Sequence, residues 1–108
     1  LASTGEAGAI EPAGFLLARK AADEMEILSI AVLPSSRRRG VGQALLGKLR
    51  QVAREAGSSA IFIEFAATND AAAALYKAEG FCPTGVRKNY YHVPGGTRTD
   101  AITARLEP

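Results

Sequence analysis

Between an apolar run and a helical one, this chain reads Val32-Leu33-Pro34-Ser35-Ser36-Arg37-Arg38-Arg39-Gly40-Val41-Gly42-Gln43-Ala44. Proline has no N–H to give to a central ladder, so the strand that enters this segment stops near Pro34. Beyond the glycines, Val41, Ala44, Leu45, Leu49, Val52, Ala53 and Ala56 recur at helical spacing, and Gly57 offers an exit. A strand, a glycine turn and an amphipathic helix therefore follow one another. At such a helix start the first N–H groups have no intrahelical partner, the positive end of the helix dipole adds to them, and glycine lets a ligand come close. The pattern suits a phosphate or pyrophosphate, although a solvated arginine cluster on a glycine turn would be spelled the same way. A P-loop is excluded because no Gly-Lys-Ser/Thr closes the turn, and the dinucleotide fingerprint fails where Leu45 stands in place of a third glycine.

The neighbouring patterns complete the order. Residues 14–19 and 26–32 are apolar runs separated by polar residues 20–24, which predicts a hairpin. A weaker strand precedes it within residues 1–11, with Gly5 to Gly8 read as a turn. Residues 60–66 set Ile61, Ile63 and Phe65 against Phe62, Glu64 and Ala66, with the β-branched and aromatic content of a central strand. Thr68 or Asn69 caps a second helix that runs to about Glu79 and leaves through Gly80. Phe81, Val86, Tyr90, Tyr91 and residues 100–106 form two strands joined by Pro94-Gly95-Gly96. The expected order is β-β-β-α-β-α-β-β.

With 108 residues, 47% of them hydrophobic, the chain reads as a single domain, residues 1–108, around one core. Thirteen basic residues against eleven acidic ones give a net charge of +2, which argues against nucleic acid as a partner. The apolar stretches fall well short of the ~18 residues of a membrane span, so no membrane is expected. Cys82 is the single cysteine, which rules out an internal disulfide and zinc sites built on several cysteines, and fits a reducing cytoplasm. No metal is expected. Cys82 itself reads as a small buried hydrophobe, and the lone His92 as a surface residue.

Two residues stand out for chemistry. Glu64 interrupts an apolar strand on the opposite parity from Ile61, Ile63 and Phe65. A carboxylate there is either ion-paired with an Arg or Lys, or poised as a general base. Tyr76, twelve positions later, falls on the following helix, where its ring either packs in the core or presents a proton donor. Reference pKa values of ~8.5 for a thiol and ~10 for a phenol make donation to a departing thiolate feasible in a site that lowers the phenol's pKa.

The turn Arg37-Arg38-Arg39-Gly40-Val41-Gly42 is similar to the Arg/Gln-x-x-Gly-x-Gly/Ala signature of the GNAT superfamily of N-acetyltransferases. The run Asn69-Asp70-Ala71-Ala72-Ala73-Ala74-Leu75-Tyr76-Lys77-Ala78-Glu79-Gly80-Phe81 resembles that family's other coenzyme-binding motif. The chain looks most like the bacterial ribosomal-protein N-terminal alanine acetyltransferases. That subgroup is matched by the spacing of Glu64 and Tyr76, by Gly80-Phe81 and Gly85, and by Arg87-Lys88-Asn89-Tyr90-Tyr91 and Asp100-Ala101, over residues 14–106. Thr99 and Ala104-Arg105 depart from it.

The resemblance implies an α/β (α+β) fold with a mixed, mostly antiparallel sheet, splayed middle strands and flanking helices. It implies acetyl-coenzyme A as cosubstrate, with the pyrophosphate on Arg37, Arg38, Arg39, Gly40, Val41, Gly42, Gln43 and Ala44. The pantetheine arm would lie along Ile30, Ala31 and Val32, with Asn69 and Ala72 as further contacts. Glu64 would be the base and Tyr76 the acid, while Tyr90 and Tyr91 would hold a protein N-terminus, as of a ribosomal protein beginning with alanine. A small amine or a lysine as acceptor, or acyl-coenzyme binding without catalysis, are the rival readings. Members of the superfamily usually place a strand and two helices ahead of the segment that begins here. The expectation is thus of a fragment of a longer protein, or of a homodimer that covers the open sheet face.

Overall fold

The structure is a computed structural model that describes residues 6–11, 14–32, 40–92 and 95–108. Its elements run β1 (Glu6–Glu11), β2 (Gly14–Ala21), β3 (Glu24–Val32), α1 (Val41–Glu55), β4 (Ala60–Ala66), α2 (Asp70–Ala78), β5 (Cys82–His92) and β6 (Arg98–Leu106). The expected order is reproduced. Gly8, expected in a turn, instead lies inside β1 opposite Leu17, because the ladder with β2 engages the backbone along the whole of residues 6–11; Gly5 is outside the described residues.

The described strands form one sheet in the order β1-β2-β3-β4-β6-β5. It is mixed and mostly antiparallel: β1, β2 and β3 form a meander, β4, β6 and β5 form a second antiparallel group, and β3 and β4 join them in parallel. A parallel pair cannot be closed by a tight turn and needs a crossover, which α1 provides. The join is short. It pairs Glu24 with Ala60, Met25 with Ile61 and Glu26 with Phe62. Beyond it β3 carries a bulge: Leu17 stands opposite Ser29 but Ala18 opposite Ile27, so Leu28 has no counterpart in β2. An extra residue bends its strand and adds twist. β3 and β4 separate from this point onward, and the splay expected of the middle strands is present.

Helix α1 covers one face of the sheet with Leu45, Leu46, Leu49 and Ala53, all buried. They meet Leu16 and Ala18 of β2, Met25 and Ile27 of β3, Ile61 and Ile63 of β4, and Ala104 and Leu106 of β6. Both helices end alike. In α1, Gly57 N donates to Arg54 O and Ser58 N to Ala53 O; in α2, Gly80 N donates to Lys77 O and Phe81 N to Tyr76 O. These are Schellman closures, and the glycines at φ 70° and 94° take the left-handed position that they require. No helix among the described residues is long and apolar enough to cross a membrane.

Candidate active site

On the sheet face away from α1, the register lines up the chemistry. Glu64 stands opposite Thr103 and Thr103 opposite Gly85; two residues along, Ala66 faces Ala101 and Ala101 faces Arg87. Cross-strand partners share a face, so Glu64 and Arg87 are diagonal neighbours. Their side chains meet, with Arg87 Nε 3.1 Å from Glu64 Oε2. The guanidinium continues over Tyr90, its Cζ 5.1 Å from the ring centroid, and Tyr90 and Tyr91 meet edge to face at 5.3 Å. Glu64, Arg87 and Tyr90 border a cleft of about 370 Å³ whose other walls include Glu24, Glu26, Ile27 and Phe62, at the level where β3 and β4 part. The ion pair and the base that the sequence offered as alternatives are thus compatible: Glu64 is paired, yet 26% of its side chain remains exposed to the cleft.

Tyr90 is half-exposed at the rim and Tyr91 is partly covered. Burial pushes the Tyr91 phenol up, the Glu64 carboxylate and Tyr90 push it further, and Arg87 draws it partly back. Glu64 therefore lies within electrostatic reach of Tyr91.

Tyr76 is elsewhere. It sits on the α1 side of the sheet, 4% exposed, its ring 5.2 Å from Phe65 and 5.5 Å from Phe81. Phe81 is brought there by the Schellman closure that ends α2, which couples the residue after the glycine to the last turn. Burial raises the Tyr76 phenol's pKa, since a phenolate is poorly solvated among aromatic rings. Glu64 and Tyr76 therefore lie on opposite faces of the sheet, Glu64 in the cleft and Tyr76 in the core that also takes Ile63. Asn69 caps α2, its Oδ1 accepting the Ala72 N–H at 3.1 Å, so the two proposed coenzyme contacts are tied to one another.

The other candidate segment starts at Gly40, the N-cap of α1, with φ 77°. No side chain caps this end and no acidic residue lies in its first turn. Ala44 N already donates to Gly40 O, while the N–H groups of Val41, Gly42 and Gln43 belong to the helix start that lacks intrahelical acceptors. Gly42 serves a purpose that the motif did not reveal. A Cβ there would come within 2.9 Å of Leu75 Cδ2, so the glycine leaves room for the Leu75 side chain of α2. Arg37, Arg38 and Arg39 fall outside the described residues. Ile30, Ala31 and Val32 occupy the end of β3 that has left β4.

Sequence reasoning missed Arg87 as the partner of Glu64, because their proximity depends on a register through β6. It also expected Cys82 to be buried; the thiol is exposed on β5, an edge strand. His92 is exposed at the end of the same strand, as a lone histidine was expected to be.

Comparison with known proteins agrees with this fold. Residues 4–81 match the model of the Acetyltransferase (GNAT) family. The chain is 38% identical over 94 residues to the [Ribosomal protein bS18]-alanine N-acetyltransferase of Escherichia coli, covering 87% of this chain and 63% of that protein. It is 39% identical over 84 residues to the N-alpha-acetyltransferase RimI of Mycobacterium tuberculosis, covering 78% and 49%. The chain therefore spans less than two thirds of the length of these curated relatives. The crystal structure of the Escherichia coli ribosomal-protein-S18-alanine N-acetyltransferase superposes with a TM-score of 0.88 at 32% identity, over 98% of this chain and 71% of that one.

Proposed function

The chain belongs to the acetyltransferase (GNAT) family, and from that membership we propose that it transfers an acetyl group from acetyl-coenzyme A to the α-amine of a protein N-terminus, with a ribosomal protein beginning with alanine as the favoured acceptor. The observation that carries this reading is the parting of β3 from β4 after Glu26 and Phe62, beside the Glu64–Arg87–Tyr90 cluster.

The residues present fit an acyl-coenzyme. A helix start with no acidic or capping side chain is suited to a pyrophosphate, and Gly40, Val41, Gly42, Gln43 and Ala44 would bind it through main-chain N–H groups, with Arg37, Arg38 and Arg39 adding charge. Ile30, Ala31 and Val32 would hold the pantetheine arm by strand-like pairing, and Asn69 and Ala72 would contact it from α2. The coenzyme supplies the acetyl group as a thioester. Glu64 would accept a proton from the acceptor ammonium at its carboxylate, directly or through a water. An α-amine with a reference pKa of ~7.7–8.0 needs less help than a lysine at ~10.4, which favours the N-terminal acceptor for a carboxylate base. Tyr76 would donate its phenolic proton to the departing sulfur. Tyr90 and Tyr91 would hold the peptide beside Glu64. Backbone N–H groups of β3 would oppose the charge that develops on the carbonyl oxygen.

A mass-spectrometric assay of two peptides tests the proposal. One begins with a free alanine; the other is the same peptide, N-blocked and carrying a lysine. Acetylation of the first alone is the expected result. Modification of the blocked peptide alone would replace the α-amine with a lysine acceptor, and tight coenzyme binding without turnover on any amine would reduce the chain to a binding module.

A further inference from the structure

β5 does not pair regularly with β6. Arg87 stands opposite Ala101, but the next recorded pair is Tyr91 with Thr99. Lys88, Asn89 and Tyr90 thus face the single residue Asp100, a wide bulge in the strand that borders the cleft. Asn89 turns the corner at φ 52°, a conformation that asparagine tolerates better than most residues.

Asp100 holds this bulge. Its Oδ1 accepts the Asn89 backbone N–H at 2.9 Å, and its Oδ2 lies 3.7 Å from Lys88 Nζ. Arg98 supports the same corner by donating to the Asn89 carbonyl at 3.5 Å. On its other side, the Asp100 backbone carbonyl accepts the Ala67 N–H at 2.8 Å, directly after the strand that carries Glu64. One residue therefore ties the end of β4 to the bulge of β5. The residues on either side of Lys88 and Asn89 are those that face each other in the cleft: Arg87, bound to Glu64, and Tyr90, under the Arg87 guanidinium.

We infer that Asp100 is a positioning residue for the acceptor end of the site, acting through the Asn89 backbone to keep Arg87 and Tyr90 set against Glu64 and so fixing the affinity for the acceptor peptide. The inference rests on the transferase reading above. It assigns the effect to the hydrogen bond rather than to the charge, because the 3.7 Å contact is to a lysine that is 82% exposed, and exposed ion pairs contribute little.

Two variants separate these contributions. Asp100→Asn keeps an oxygen able to accept the Asn89 N–H and loses the charge; Asp100→Ala loses both. In Asp100→Ala the Asn89 amide should exchange about tenfold faster and the KM for an alanine-initiated peptide should rise about tenfold. The KM for acetyl-coenzyme A and kcat should stay within about twofold of the parent, and Asp100→Asn should restore exchange and acceptor KM to within about threefold. If Asp100→Ala does not fold, Asp100→Ser, too short to reach the amide, takes its place. An active parent with an unchanged acceptor KM in the alanine or serine variant would overturn this inference and leave the transferase reading standing. A rise in both KM values together, or equal damage from Asp100→Asn, would also overturn it, the first showing a general structural role and the second a role for charge. A parent that acetylates no amine would remove the transferase reading, and this inference with it.

Discussion

Glu64 and Tyr76 illustrate how far a single residue's surroundings decide its chemistry. Glu64 meets an arginine whose side chain is 59% exposed, so the pair adds little to stability and a Glu64→Gln change should report mainly on catalysis. In single-turnover transfer to an alanine peptide the defect should be largest below about pH 7.7 and shrink as the pH rises through the amine's own pKa, where free amine no longer needs a base. A defect that stays constant from pH 6 to pH 9 would place Glu64 outside the proton transfer. Tyr76 is the reverse case, held in its protonated form by burial. Tyr76→Phe should leave coenzyme affinity intact and slow single-turnover transfer. Because the phenol is raised from about 10, the parent's rate should show no falling limb between pH 8 and about 10 that disappears in the phenylalanine variant. Such a limb would mean that the phenol ionises readily and that its surroundings differ from those described.

At the scale of elements, the glycine that the sequence assigned to ligand approach also leaves room for the Leu75 side chain of α2. Gly42→Val should destabilise the protein by about 1–3 kcal/mol through overpacking against Leu75. Trimming the obstacle in a Gly42→Val, Leu75→Ala double variant should recover part of that loss in urea melts, a non-additive coupling expected of touching residues. Strict additivity would show that the two side chains do not collide. Gly42→Val should weaken coenzyme binding as well, and recovery of stability without recovery of affinity would separate the turn's role from the helix contact. The order of elements was legible because the periods of 2 and 3.6 are local, and both helix ends were announced by glycine. The buried stripe of α1 was legible only in part: Leu45, Leu49 and Ala53 are buried as read, but Ala44, Val52 and Ala56 are exposed and Leu46 is buried instead. Periodicity allows a stripe ~100° wide, and only the position of the sheet chooses between adjacent residues. The same holds for the site. Glu64, Tyr76 and Asn69 were picked out by residue type and spacing, whereas the Arg87 contact and the bulge opposite Asp100 depend on pairing between distant strands, which no local pattern encodes.

Across the whole molecule, the buried Tyr76 phenol links folding to pH. Its folded pKa lies above the unfolded value of about 10, so its contribution is fully present below pH 10 and is lost as the pH rises from there through the folded value. Thermal melts between pH 8 and pH 11 should show the parent losing stability at the alkaline end more steeply than Tyr76→Phe. Parallel decline in the two proteins would assign the alkaline loss to other groups. Tyr91 is raised in the same direction but is less covered, so its share should be smaller.

The three-residue join between β3 and β4 also bears on how the molecule opens. Each half of the sheet is a self-contained antiparallel unit, and the ladder between them is shorter than either unit's own ladders. Cooperative opening units tend to follow such boundaries. The amides that bridge residues 24–26 and 60–62 should lose protection in native-state exchange before those inside β4 and β6, with α1, packed across both halves, acting as the strap that keeps the two leaves from separating.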